Sequence, residues 1–109
     1  MGYLGEFEQL ILFSVLQLGD EAYGVTIRET IEERTGRTVS VGAIYTALGR
    51  LEERGLVRSR TEDPQGRAGR PRKFYVLRRE GARALKDSYS TIQAMAGGLI
   101  AKLTEAAEG

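Results

Sequence analysis

The first twenty residues carry an apolar pattern typical of a helix that is buried on several sides. Mapped onto a helix, the apolar residues before Gly19 cover most of the circumference rather than one stripe. They are Leu4, Phe7, Leu10, Ile11, Leu12, Phe13, Val15, Leu16 and Leu18. Two interpretations stay open: this helix is the centre of its own domain's core, or part of it contacts a second subunit.

A second helix is predicted over Tyr23–Thr35. Gly19 is expected to end the first helix, Asp20 to cap the second, and Gly36 to stop it. The residues expected to face inward are Ile27 and Ile31.

The third helix shows the clearest amphipathic spacing. After a short extended stretch over Arg37–Val39, Ser40 is the predicted N-cap, and the helix should end at Gly55. Apolar residues recur at spacings of three, four and three, which places them on one buried stripe. They are Val41, Ile44, Leu48 and Leu51.

Two short β-prone runs, Leu56–Glu62 and Lys73–Leu77, predict a hairpin. The connection over residues 63–72 is rich in turn-forming residues and in Arg. The hairpin should therefore have a long basic tip.

The C-terminal segment has the apolar repeat of a coiled-coil seam, with spacings of three and four held for more than three heptads. The seam residues are Ala82, Leu85, Tyr89, Ile92, Ala96, Leu99, Leu103 and Ala106. A helix that projects from the end of a domain needs another chain to complete such a seam, and the alternative is a helix folded back on its own core. Gly97 and Gly98 lie off the seam, where the helix is free to kink or end.

The order of these elements predicts a mostly α-helical fold with a minor β component. Three helices followed by a two-stranded basic hairpin are typical of a winged helix-turn-helix, whose helix after the turn enters the major groove of DNA. We expect this domain over residues 1–78 and a C-terminal dimerisation helix over residues 79–109.

Composition removes several classes of function. The 109 residues include no Cys and no His, which excludes zinc sites and Ser-His or Cys-His catalysis. We therefore expect no metal, no cofactor and no enzymatic activity. The longest apolar run, Leu10–Leu16, is far shorter than the roughly 20 residues of a membrane span. The protein is expected to stay in the cytoplasm, without a membrane partner.

Charge is segregated along the chain, although the net charge is only +1. Residues 1–33 contain seven acidic residues and one basic residue, a net charge of −6. Residues 34–86 contain fourteen basic and five acidic residues, a net charge of +9. This pattern predicts one surface for a polyanion and a different surface for another partner.

A candidate surface for double-stranded DNA follows from the face that the third helix leaves exposed. Mostly small residues point outward there, so the helix can come close to base edges. The predicted contacts on this helix and at its cap are Ser40, Gly42, Ala43, Tyr45, Thr46 and Arg50. The predicted contacts in the hairpin are Arg67, Arg70, Arg72 and Lys73. The alternatives are that the small residues only ease packing and that the basic loop is only solvated.

Two other classes of function compete with DNA binding. A winged helix used as a protein-interaction module would tolerate loss of the hairpin arginines and show no salt-dependent affinity for DNA. An enzyme is the weakest candidate, because the chain has no His to activate a Ser and its Lys residues show no local pairing with a Ser, although a Lys base remains formally possible. The adjacent pairs Glu32–Glu33 and Glu52–Glu53 point in different directions on their helices, and we interpret them as solvated surface.

Three stretches resemble signatures of the PadR family of bacterial transcriptional regulators. Residues 41–57 resemble the family's recognition helix and the start of its first wing strand. The tripeptide Ala22-Tyr23-Gly24 and residues 69–77 resemble its other two signatures. Residues 4–11 and 31–36 further resemble a subgroup common in acidobacteria and related soil bacteria.

The resemblance implies a homodimer that acts mostly as a repressor, in which the recognition-helix Tyr45, the cap Ser40 and the wing cations touch DNA. Arg78 stands where the family usually has Thr. Some members release DNA on binding phenolic acids or flat drugs, but the stacking of a drug between tryptophans is not carried over, because this chain has no Trp. Members of the similar subgroup are often encoded beside efflux-type transporters, which makes export the implied regulated process.

A two-fold dimer should read an inverted-repeat operator. We expect the first helix to contact the C-terminal helix of the other subunit. The interface residues predicted on the two helices are Phe7, Ile11, Val15, Leu85, Tyr89, Ile92, Ala96, Leu99 and Leu103. A small aromatic or drug-like effector is expected near Phe7, Met95 and Leu99, where small neighbouring residues leave room.

Overall fold

A computed structural model describes residues 3–62 and 71–109. The helices are α1 (Glu6–Leu18), α2 (Gly24–Thr35), α3 (Val41–Glu53), α4 (Arg79–Ala96) and α5 (Ile100–Glu108), with a 3₁₀ turn at Gly19–Glu21. The strands are β1 (Val57–Glu62) and β2 (Arg72–Leu77). The predicted hairpin tip, including Arg67 and Arg70, lies outside the described residues.

The start of α2 corrects the predicted cap. Asp20 lies in the 3₁₀ turn, and Tyr23 occupies the N-cap position. Thr26 replaces the missing side-chain cap, because its hydroxyl oxygen accepts a hydrogen bond from the Tyr23 N–H at 3.0 Å. Gly36 ends α2 as predicted, in the left-handed conformation with φ of 74°.

The prediction for α3 is confirmed. The Ser40 hydroxyl oxygen accepts a hydrogen bond from the Ala43 N–H at 3.0 Å, which satisfies one of the free donors at the helix start. The stripe residues Ile44, Leu48 and Leu51 are fully buried, whereas Val41 is only half-buried. Residues 37–39 belong to neither strand.

The hairpin is antiparallel, with Val57 opposite Leu77 and Glu62 opposite Arg72. The Tyr75 N–H also donates to the Ala22 carbonyl at 2.9 Å. This bond ties the connection between α1 and α2 to the edge of the hairpin, so the wing base is held by the same segment that starts α2.

The helix α1 is the centre of the protomer's core, as the first interpretation of its apolar surface holds. Ile11 and Val15 are buried in the chain itself, and so is Leu85 on α4. These three residues have no surface left for a partner, which corrects their placement in a dimer interface. Phe7 is half-buried, and Leu16 is exposed.

The first half of α4 packs on α1 of the same chain, as expected for a C-terminal helix that folds back on its own core. The Leu4 N–H donates to the Ser88 hydroxyl oxygen at 3.4 Å, and the Phe13 and Tyr89 rings meet edge to face at 5.6 Å. The second half of α4 runs beyond this contact, and Ile92 and Met95 are exposed.

The C-terminal segment is not one continuous helix. It breaks at Gly97-Gly98, where Gly98 has φ of 76°. All residues from Gly97 to Gly109 are exposed. The radius of gyration is 16.3 Å, compared with about 13 Å for a compact domain of this length, because α5 projects from the core. The division into residues 1–78 and 79–109 stays a prediction.

Gly81 allows α4 to start directly against the hairpin. A Cβ atom at this position would overlap the Leu56 carbonyl oxygen and lie 2.8 Å from the Leu77 side chain. We expect Gly81→Ala to lower the free energy of unfolding by about 1–3 kcal/mol through overpacking. The control Gly49→Ala places a Cβ in open space in the middle of α3, where Ala is favoured over Gly. Thermal unfolding should show a lower melting temperature for Gly81→Ala only, and equal melting temperatures would contradict the close approach.

Candidate nucleic-acid interface

The outward face of α3 is built from small side chains. Gly42, Ala43, Thr46, Gly49 and Arg50 are all exposed. The Thr46 hydroxyl donates to the Gly42 carbonyl at 3.0 Å, which leaves its methyl group as the part without a polar partner. A flat object such as a base edge can therefore approach the backbone of this helix closely.

Tyr45 lies at the border of this face and contacts the start of α2. Its hydroxyl oxygen accepts a hydrogen bond from the Gly24 N–H at 3.3 Å. A Cβ atom at Gly24 would lie 2.5–2.7 Å from the Tyr45 ring and hydroxyl, so a side chain at this position would displace the ring. The phenol hydrogen is still available to donate to an anion, so Tyr45 can still make the predicted contact with a phosphate.

A second tyrosine packs behind Tyr45. The Tyr75 ring lies 6.4 Å from the Tyr45 ring, and it is buried between α3 and the hairpin. Burial, together with the nearby Glu52 carboxylate, raises the pKa of Tyr75 to about 12. Tyr75 is therefore a neutral packing group at any physiological pH.

Glu52 corrects the interpretation of the Glu52–Glu53 pair as solvated surface. One of its carboxylate oxygens accepts hydrogen bonds from the Ser59 hydroxyl at 2.7 Å and from the Ser59 N–H at 3.2 Å. Glu52 thus joins the end of α3 to β1. Glu53 is exposed.

Two of the predicted wing cations, Arg72 and Lys73, lie within the described residues. They point to opposite faces of the hairpin, because side chains alternate along a strand. The Lys73 ammonium is on the α3 side, 4.0 Å from the Glu52 carboxylate. The Arg72 guanidinium is on the other side, 4.7 Å from the centre of the Tyr23 ring. Sequence reasoning grouped these neighbours, but the structure separates them.

Acidic residues at the start of α1 pair with cations near α3. Arg37 bonds to Glu6 at 2.9 Å, and Arg54 bonds to Glu8 at 3.3 Å. The hydrogen bond and charge of Arg37 lower the pKa of the Glu6 carboxyl. Within residues 3–62 and 71–109, Arg50 has no carboxylate within salt-bridge distance. Arg50 is thus the α3 cation that is available to an anion.

The described part of the chain forms neither a metal-binding cluster nor a membrane-spanning helix. No three carboxylates gather there in a way that would hold a metal ion. None of its helices combines the length and hydropathy that crossing a membrane requires.

The family model of the PadR-like transcriptional regulators matches residues 12–87, which run from α1 to the middle of α4. The chain belongs to this family. No curated protein matches the chain in sequence.

Solved structures agree with this assignment. A PadR family transcription regulator from hypervirulent Clostridium difficile R20291 is 27% identical, with a TM-score of 0.75 over 91% of this chain and 99% of that one. A PadR family regulator from Eggerthella lenta is also 27% identical, with a TM-score of 0.69 over 92% and 87% of the two chains. F93 from STIV, a winged-helix DNA-binding protein, is 18% identical, with a TM-score of 0.70 over 89% and 98% of the two chains. This PadR-like regulator therefore has the winged-helix fold that its element order predicts.

Gly24 was missed as a site residue by sequence reasoning, and its contact with Tyr45 is testable. We expect Gly24→Ala to lower the free energy of unfolding by about 1–3 kcal/mol, because the new Cβ displaces the Tyr45 ring. In a Tyr45→Ala background the ring is gone, so the same change should cost little, and the two changes should be coupled by at least about 1 kcal/mol. Urea denaturation measures both values.

Gly42→Ala is the matched control for Gly24→Ala, since its Cβ would meet only the Ser40 hydroxyl at 4.0 Å. It should leave the urea midpoint unchanged or higher. An equal cost of Gly24→Ala with and without the Tyr45 ring would show that another group limits this position.

Proposed function

We propose that this PadR-like regulator is a dimeric, sequence-specific DNA-binding repressor whose helix α3 lies in the major groove. The observation that carries the proposal is the exposed face of Gly42, Ala43 and Thr46, which has no large side chain to keep a base edge away. Ser40 and the first N–H groups of α3 lie at the same end, where a phosphate is favoured.

The remaining proposed contacts surround this face. Tyr45 donates its phenol hydrogen to a phosphate, and Arg50 approaches the backbone or a base edge. Lys73 and Arg72 contact phosphates from the two faces of the wing. Arg67 and Arg70, which lie outside the described residues, keep their predicted role in the wing tip. The competing function, a protein-interaction module, would not account for the exposed face of small residues on α3.

Selection from a pool of random duplexes should yield an inverted repeat with half-site centres about 10–10.5 base pairs apart, or a multiple of this. Ala43→Asp should weaken binding of the selected duplex at least tenfold, because it places a carboxylate against the DNA. An acidic residue in the first turn also favours the helix, so folding should be retained. Fluorescence anisotropy measures the affinity.

Ala94→Asp is the control for Ala43→Asp, because it makes the same change on the outer side of α4. It should bind the duplex like the unaltered protein. Equal affinities for Ala43→Asp and Ala94→Asp would remove α3 from the DNA interface, and failure to select any duplex would favour the protein-interaction module.

The proposed dimer interface is formed by the projecting part of the C-terminal segment. Five large apolar side chains are exposed there in the single chain: Ile92, Met95, Leu99, Ile100 and Leu103. An exposed apolar surface of this kind typically marks an association site. Tyr89, Ala96 and the half-buried Phe7 complete the proposed interface. The partner's α4 and α5 are the proposed occupants, and the pairing sets the distance between the two copies of α3.

Ile92→Asp should convert the dimer to a monomer, because it buries an unpaired carboxylate in the proposed interface at a cost of several kcal/mol. Ile92 is 53% exposed in the single chain, so the protomer should stay folded. Size-exclusion chromatography with light scattering gives the mass. Ala94→Asp, two residues away and off the seam, should remain dimeric. A dimeric Ile92→Asp variant would place the interface elsewhere.

We also propose that a small apolar effector releases the DNA by binding at the dimer interface near Phe7, Met95 and Leu99. A few ångströms of change there would separate the two copies of α3 from their half-sites. To shift most dimers from the DNA-bound form to the released form, the effector must bind the released form roughly 10⁴-fold more tightly than the DNA-bound form.

A screen of planar aromatic and antibiotic-like compounds tests the effector. At least one compound should raise the melting temperature and also weaken binding of the selected duplex. Compounds that stabilise the protein without weakening DNA binding, or no binding compound at all, would reduce the proposal to a repressor controlled by its own concentration.

A further inference from the structure

The hairpin has an outer face that the proposed contacts of α3 do not use. The register pairs Arg58 with Val76, Arg60 with Phe74 and Glu62 with Arg72, and directly paired residues share a face. The opposite face carries Ser59, Lys73 and Tyr75, which lie against α3. The outer face therefore carries three of the hairpin's arginines on the side away from α3.

Two of these arginines are held in place by aromatic rings. The Arg60 guanidinium lies 4.6 Å from the centre of the Phe74 ring, and Arg72 lies 4.7 Å from the centre of the Tyr23 ring. The two rings meet edge to face at 5.2 Å. Arg60 also donates to Glu62 at 2.6 Å and to the Asp20 carbonyl at 3.2 Å. The stack orders both guanidinium groups before any ligand arrives, which lowers the entropy lost on binding.

The row of positive charge continues at the base of the hairpin. Arg58, Arg78 and Arg79 line one depression of about 500 Å³ together with Val76, Leu77 and Glu80. Arg78 pairs with Glu80 at 3.7 Å. Among the described residues, neither Arg58 nor Arg79 has a carboxylate within salt-bridge distance. Five arginines thus follow one another from the tip end of β2 to the start of α4.

We propose that this row, Arg72, Arg60, Arg58, Arg78 and Arg79, binds the sugar–phosphate backbone of double-stranded DNA outside the half-site that α3 reads. The proposal rests on the DNA-binding function proposed above. It adds a contact surface of its own, which extends the bound DNA beyond the inverted repeat.

The chemistry of the row favours a phosphate backbone over an acidic protein. Protein interfaces have an apolar core, whereas the one aromatic side chain of this row, Phe74, is already covered. The hairpin part of the row runs from Arg72 to the pair Arg58–Val76, which is about 13 Å at roughly 3.3 Å per residue, so it can follow neighbouring phosphates along one strand. Guanidinium groups also suit the bidentate geometry of phosphate oxygens.

The test compares two duplexes, the selected inverted repeat alone and the same repeat with ten added base pairs on each side. The unaltered protein should bind the longer duplex more tightly and with a steeper dependence on salt. The Arg58→Gln/Arg79→Gln variant should lose this gain. Its slope of log affinity against log salt on the longer duplex should fall by about 1.8 per subunit, from roughly 0.9 for each of two phosphates.

Arg34→Gln/Lys102→Gln is the control, because it removes two positive charges from α2 and α5, away from the hairpin. It should keep the gain in affinity and slope. Equal slopes for the two double variants would overturn the inference while leaving the proposed function intact. Loss of self-association at low salt, with unchanged DNA binding, would overturn it in favour of a second copy of the chain. Absence of duplex binding by the unaltered protein would overturn the proposed function and this inference with it.

Discussion

The close approach of α2 to α3 at Gly24 and Tyr45 joins the two helices to each other and to the wing. The Tyr45 ring occupies the space that a side chain at position 24 would need, and its hydroxyl accepts the Gly24 N–H. Tyr75 packs behind the same ring, and its N–H bonds to Ala22, two residues before Gly24. One contact therefore links α2, α3 and the wing.

The surfaces that remain exposed are those that the packing of the protomer's own core does not use. The α1 helix packs against the rest of the winged domain and against the first half of α4, and most of the large apolar residues left exposed lie between Tyr89 on α4 and Leu103 on α5. The small face of α3 and the two sides of the wing are left as polar or small-residue surfaces. The segregation of charge in the sequence matches this division, because the basic middle section contains α3 and the wing.

Local sequence patterns predicted the helices and strands well. They did not predict contacts between residues that are far apart in the chain. The spacing of Ile44, Leu48 and Leu51, the Ser40 cap and the Gly36 stop depend on neighbours along the chain, and all are confirmed. Glu52 and Gly24 act through residues 7 and 21 positions away, which no periodicity reveals. Ile11 and Val15 were assigned to an interface because a helix that is apolar on all sides does not say which side meets its own chain. The resemblance of residues 22–24 to a family signature marked Gly24, but not its contact.

The structure of the dimer bound to its selected duplex would show directly whether α3 reads the DNA. We expect α3 to lie in the major groove with Ala43 and Thr46 against base edges, while the Tyr45 hydroxyl still accepts the Gly24 N–H. A complex in which α3 faces solvent, or in which Tyr45 leaves Gly24 when DNA binds, would contradict it.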